Sequence, residues 1–98
     1  MSFPLVLRRK ARIDFDEAFD WYEQQRAGLG VRFAERVQWV FESISAMPEL
    51  HAPIFGDVRR ALVRTFPYSV FYRIRGGRVV VLAVFHNKRD PKIWQSRA

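Results

Sequence analysis

The stretch Tyr68-Ser69-Val70-Phe71-Tyr72-Arg73-Ile74-Arg75, then Gly76-Gly77, then Arg78-Val79-Val80-Val81-Leu82-Ala83-Val84-Phe85-His86 sets the architecture. Two runs rich in β-branched and aromatic residues flank a pair of glycines. Both glycines accept φ > 0 without steric cost, so a two-residue type I′ hairpin turn is expected. Such a turn pins a register. Arg75 should face Arg78, Ile74 Val79, Tyr72 Val81, Val70 Ala83 and Tyr68 Phe85. Side chains alternate along a strand, so the eight residues from Ile74 to Phe85 in these pairs share one face. All eight are apolar or aromatic, and that face reads as core. The other face pairs Arg73 with Val80, Phe71 with Leu82, Ser69 with Val84 and Pro67 with His86. Its centre is apolar and its rim is Arg73, Arg75, Arg78 and His86. An apolar patch with a cationic rim on an open sheet face reads as a binding surface. The competing reading is a face covered by the chain's own C-terminal tail.

Working upstream, Val58 to Phe66 is a third β-like run, separated from the hairpin by Pro67. Residues 47–57 carry two prolines and a glycine without a consistent period and read as a loop. Before them the period becomes helical. Ala11, Phe15, Ala18, Phe19 and Tyr22 form one stripe; Phe33, Ala34, Val37, Val40, Phe41 and Ile44 form another. Gly28 and Gly30 bracket the turn between them, and Pro48 stops the second helix. Two amphipathic helices joined so tightly should lie antiparallel. Phe3-Pro4-Leu5-Val6-Leu7 reads as a short or edge strand. The expected fold is α+β. A small antiparallel sheet, in the order β-α-α-β-β-β, would carry the helical hairpin on one face, in a single domain over 1–98.

Composition bounds the function. The chain has 98 residues, 49% of them hydrophobic, enough for a packed core and too few for separate cofactor and substrate domains. It has no cysteine, which removes thiolate chemistry and disulfides. No apolar run reaches the ~18–20 residues of a membrane span, and the start does not read as a signal peptide. No cofactor and no membrane are expected, and the cytoplasm is the expected compartment. Charge is unevenly placed: residues 1–50 hold 7 Lys/Arg against 8 Asp/Glu, and residues 51–98 hold 10 against 2. The second half is +8, which points to an anionic partner.

His51 and His86 are far apart without thiols or paired carboxylates, which argues against a metal site. Arg60 and Arg64 point one way along their run and Arg59 the other. They are candidate phosphate or carboxylate contacts, or charges that protect an edge strand. Asp90 reads as a helix start before Pro91. Trp39 sits on the polar side of the second helix, as a partner contact or packed on a loop. Trp21 reads as closing the core, and the acidic residues of the first helix as a solvated face.

Taken with Tyr22-Glu23-Gln24, the element order and three stretches carry a resemblance. These are Arg59-Arg60-Ala61-Leu62-Val63-Arg64-Thr65-Phe66-Pro67-Tyr68, Val70-Phe71-Tyr72-Arg73 and Val84-Phe85-His86-Asn87-Lys88-Arg89-Asp90-Pro91. Over about residues 3–95 the sequence resembles the RelE/ParE superfamily of small bacterial toxins from type II toxin–antitoxin modules. The resemblance implies plasmid stabilisation and a cognate acidic, partly disordered antitoxin that wraps the toxin. The antitoxin, not this chain, would carry the DNA-binding domain, so direct sequence-specific DNA binding is not expected. A +8 half beside an open face complements such a peptide, with strand addition beside Arg59–Arg64 as the expected mode.

The superfamily has two branches. In the RelE-like, ribosome-directed branch, the 2′-hydroxyl of mRNA attacks the adjacent phosphate without metal. That needs a base, an acid and cations. Where that branch has Tyr-Arg, this chain has Tyr68-Ser69. Where it has a proton-handling Tyr near the C-terminus, this chain has Trp94, whose indole donates and cannot act as a base. Arg60, Arg64, His86 and Arg89 would carry the reaction there, with Lys88 a second choice for the last cation. The ParE-like branch inhibits DNA gyrase by binding, trapping it on cleaved DNA. The Pro67-Tyr68 turn and the His86–Pro91 end look more like this branch, which is the favoured reading. Its contact residues, for antitoxin or target, would be Arg59, Arg60, Arg64, Phe71, Arg73, Leu82, His86, Lys88, Arg89, Trp94 and Trp39. No residue is assigned to catalysis outright.

Overall fold

The computed structural model describes residues 2–98. In chain order it has β1 (Leu5–Leu7), α1 (Arg9–Gln25), α2 (Leu29–Ala46), β2 (Pro53–Phe55), β3 (Val58–Leu62), β4 (Tyr68–Arg75), β5 (Arg78–His86) and α3 (Pro91–Gln95). The architecture is α+β, with α1 and α2 as a hairpin against one face of the sheet. The strand order is β1-β5-β4-β3-β2. Two details differ from the expected antiparallel four strands. β1 runs parallel to β5, because the helical hairpin acts as a crossover between distant strands. β2 adds a fifth strand inside the expected loop. Its three residues are all exposed, so no burial pattern marks it in the sequence. No helix among the described residues is long and apolar enough to cross a membrane.

Gly76 and Gly77 have φ of 59° and 73°, as the hairpin turn requires. The expected register holds from Arg75↔Arg78 to Tyr72↔Val81. It then breaks. Leu82 is an extra residue in β5, so that Phe71 faces Ala83, Val70 faces Val84, Ser69 faces Phe85 and Tyr68 faces His86. This is a β-bulge, and a slip of one residue moves side chains to the opposite face. Val84 therefore joins the helix-side core, and Phe85 leaves it. The backbone N–H of Val84 donates to a carboxylate oxygen of Asp14 in α1 (3.2 Å).

Two cores result. Under the helices, Ala11, Ala18, Tyr22, Phe33, Val37, Val40 and Ile44 pack on Val70, Tyr72, Val79, Val81 and Val84. On the far side, Val58, Phe71, Leu82, Ala83 and Phe85 pack beneath Trp94. This corrects the open-face expectation: the apolar centre is covered by α3. Trp94 lies parallel on Phe71 with ring centroids 4.0 Å apart.

The junction of the two helices depends on one acid and two glycines. Gly28 takes φ +88°. The Glu23 carboxylate accepts from the N–H groups of Gly28 and Val31, both at 3.2 Å, so a side chain from α1 satisfies free donors at the start of α2. The Gly28 bond, aided by Val31 and Gly30, holds this carboxyl below its ordinary pKa. Gly30 belongs to α2 and not to the turn. A Cβ there would stand 2.5 Å from Glu23 Cγ and 2.6 Å from the Phe19 carbonyl oxygen. Gly30→Ala should therefore cost about 1–3 kcal/mol by forcing the helices apart. Urea unfolding reads this as a lower midpoint; an unchanged midpoint would show that the helices do not need this close approach.

Candidate functional site at the end of the sheet

The bulge delivers His86 and the residues after it to the end of the sheet nearest Arg60. In β3, Arg60 lies opposite Phe71. Its Nε donates to Ser69 Oγ (2.9 Å), Ser69 Oγ donates to Asn87 Oδ1 (2.6 Å), and Arg60 Nη2 reaches the same oxygen (3.4 Å). Ser69 is fully buried, so the network is anchored in the sheet. The Arg89 guanidinium lies over the Phe85 ring, 4.5 Å from its centre, and 3.8 Å from Asp14. Arg60, His86, Asn87 and Arg89 line a small cleft of about 160 Å³.

The histidine in this cluster is committed. His86 Nδ1 accepts from the Lys88 N–H (3.0 Å), which leaves the ring proton on Nε2 in the neutral form. The ring also meets Tyr68 edge-on at 5.1 Å. Asp90 accepts from the Lys92 N–H (3.0 Å) and caps α3 as expected. The cluster thus offers fixed donors to an anion: two guanidinium groups and an imidazole N–H.

Of the predicted residues, Arg60, His86 and Arg89 come together here, with Lys88 and Arg64 exposed on adjoining turns. The others are elsewhere. Arg59 points to the loop before β2, donating to the carbonyls of His51 (2.6 Å) and Glu49 (3.3 Å). Phe71, Leu82 and Trp94 are interior, so as folded they are packing residues and not contact surface. Arg73 is buried and binds one oxygen of Asp57 through Nε (3.1 Å) and Nη2 (2.7 Å). That contact, ahead of the charge of Arg75, holds the Asp57 carboxyl below its usual range. Trp39 is exposed and lines a separate groove of about 710 Å³ with Leu5, Phe15 and Val31. Trp21, expected in the core, is 54% exposed. Sequence reasoning did not single out Ser69, Asn87 or Asp14. Asp14 is not solvated with the other acids of α1: Arg97 grips it at 2.6 and 3.2 Å, and Arg97 also donates to the Leu82 carbonyl (3.2 Å).

A family model described as the ParE toxin of type II toxin-antitoxin system, parDE, matches residues 5–91, from β1 to the first residue of α3. The chain belongs to the ParE toxin family. Among solved structures it is similar to a chain from "Chromosomal ParDE TA system from P. aeruginosa", at TM-score 0.77 and 18% identity. The match covers 87% of this chain and 96% of that one. At that identity the likeness establishes the shared fold. Curated protein sequences give no match. Family membership makes the chain a type II toxin. In this ParE-family member Trp94 and Arg97 lie beyond the matched residues, while the Arg60–Ser69–Asn87 network lies within them.

Proposed function

We propose that this ParE-family toxin arrests growth by binding DNA gyrase and trapping it on cleaved DNA, and that a cognate antitoxin with an acidic segment neutralises it. One observation carries the reading. The end-of-sheet cluster fixes cations and donors, but the groups that could serve it as a base are engaged elsewhere. His86 Nδ1 is occupied by Lys88, Asp90 caps α3, and Asp14 is paired with Arg97. A binding function needs the cations and none of the proton chemistry. Antitoxin docking has support at the sheet edge. β2 pairs with β3 at Val58 and Arg59, leaving the outer edge of residues 60–62 free for an added strand beside the exposed Leu62. The action would be cytoplasmic.

The second reading is ribosome-dependent cleavage of mRNA using Arg60, Arg64, His86 and Arg89. It is favoured by the convergence of Arg60, His86 and Arg89 on one cleft. Purified toxin assayed against gyrase supercoiling and against translating ribosomes separates the two. Loss of supercoiling with accumulated cleaved DNA and intact mRNA is expected. Codon-positioned mRNA cuts with untouched supercoiling would replace the gyrase reading with the endonuclease one.

A further inference from the structure

Trp21 has no structural task that explains it. It sits on α1 with its indole 54% exposed, meeting Tyr22 edge-on at 5.1 Å. Beside it a cleft of about 490 Å³ opens between α1 and the end of β5. Its walls include Glu17, Trp21, Tyr22, Tyr68, His86 and Arg89. The aromatic rings follow one another: Tyr22 to Tyr68 at 6.1 Å, Tyr68 to His86 at 5.1 Å. The hydroxyl of Tyr72 is bonded to the Pro48 carbonyl and points away from this cleft, whose walls carry Tyr22 and Tyr68. Burial pushes both phenols above their ordinary pKa, so they stay protonated and can donate. Arg89 forms part of the wall and Lys88 adjoins it.

We propose that this cleft takes an unstacked nucleobase of a single-stranded nucleic acid, stacked on Trp21, with the flanking phosphates on Arg89 and Lys88. Aromatic platforms beside cations are how proteins hold single strands without regard to sequence, since every base has a π-face. The chain's net charge of +7 favours a polyanion. The Glu17 carboxylate on the wall bears on which polyanion. It repels the side chains of an acidic peptide, but it can accept from the amino edge of a base. A duplex keeps its bases stacked and cannot fill the slot. The proposal is independent of the gyrase reading, because it concerns binding and not the target.

The test is fluorescence anisotropy of the whole toxin with a short labelled DNA oligomer, presented as a single strand, as a duplex and as the same backbone with abasic sites. The intact single strand should bind tightest. Trp21→Ala should weaken it about tenfold, the scale of one base–aromatic stack. Trp21→Tyr should keep most of the affinity. Trp39→Ala, equally exposed on α2, should change nothing. Lys88→Ala should weaken all three oligomers and flatten the salt dependence. Several results would overturn the proposal: no binding of the single strand, equal binding of abasic or duplex DNA, or no effect of Trp21→Ala. So would poly-glutamate binding that depends on Trp21, which would assign the cleft to an acidic protein segment. Trp21 is a surface residue, so unchanged circular dichroism is expected in each Trp21 variant.

Discussion

Asp14→Ala should lower folding stability by about 3–5 kcal/mol, the cost of breaking a buried ion pair by removing one partner. The side chain of Asp14 is 5% exposed and that of Arg97 10%, with 2.6 Å between Arg97 Nη1 and Asp14 Oδ2. The same carboxylate accepts the Val84 N–H at the bulge and stands 3.8 Å from Arg89. Alanine would leave a guanidinium unpaired in a dry site and a bulge amide without its acceptor. It would also loosen the C-terminus, since Arg97 holds the Leu82 carbonyl and its own carbonyl accepts from Arg8 (3.2 Å). Domains of this size have total stabilities of roughly 5–15 kcal/mol, so the loss is a large share. Thermal unfolding should fall by about 15–30 °C. Arg97→Ala should cost a similar amount. The double variant should cost less than the two singles together, because no orphan charge remains. An Asp14→Ala midpoint within about 1 kcal/mol of wild type would mean that the pair is solvated and the bulge stands without it.

The importance of Asp14 was in the sequence, but in a form that reads as noise. It falls three residues after Ala11 and four before Ala18, on the apolar stripe of α1. A charge on that stripe is the trace of a buried pair, yet its partner lies 83 residues away. The hairpin was legible because Gly76-Gly77 fixes both turn type and register. The bulge was not, because Val79 to Phe85 is apolar throughout, and alternation cannot report a slip when both faces carry the same chemistry. That hidden residue reversed the faces of Val84 and Phe85. The helical hairpin was legible from its stripes, although Trp21 lies just off the buried side. At the site, Arg60, His86 and Arg89 were legible as charges near the ends of strands. Their neighbours Ser69 and Asn87 were not, because a buried serine in an apolar run declares no partner. The open face was misread for a related reason: a five-residue helix leaves almost no periodic signal, so its cover was invisible.

Trp94→Ala should cost about 3–5 kcal/mol, as for other large aromatic side chains deleted from a core. Trp94 is 4% exposed, and its ring meets Phe55 edge-on at 5.6 Å while stacking on Phe71. Five residues cannot hold a helix in water by themselves, even with Asp90 as the cap and Pro91 in the first turn. α3 persists because Trp94 anchors its middle and Arg97 its end. Without the indole, Phe71, Leu82 and Phe85 would face water, and binding of a hydrophobic dye to the folded protein should rise. Trp94→Phe should lose less and bind little dye, since a smaller ring still covers Phe71. Placement also bears on chemistry. The resemblance puts a proton-handling tyrosine of ribosome-directed relatives at this position, but a side chain pressed flat against Phe71 is a packing element. A Trp94→Ala protein with an unchanged urea midpoint and no dye binding would show that the far side of the sheet coheres without its cover.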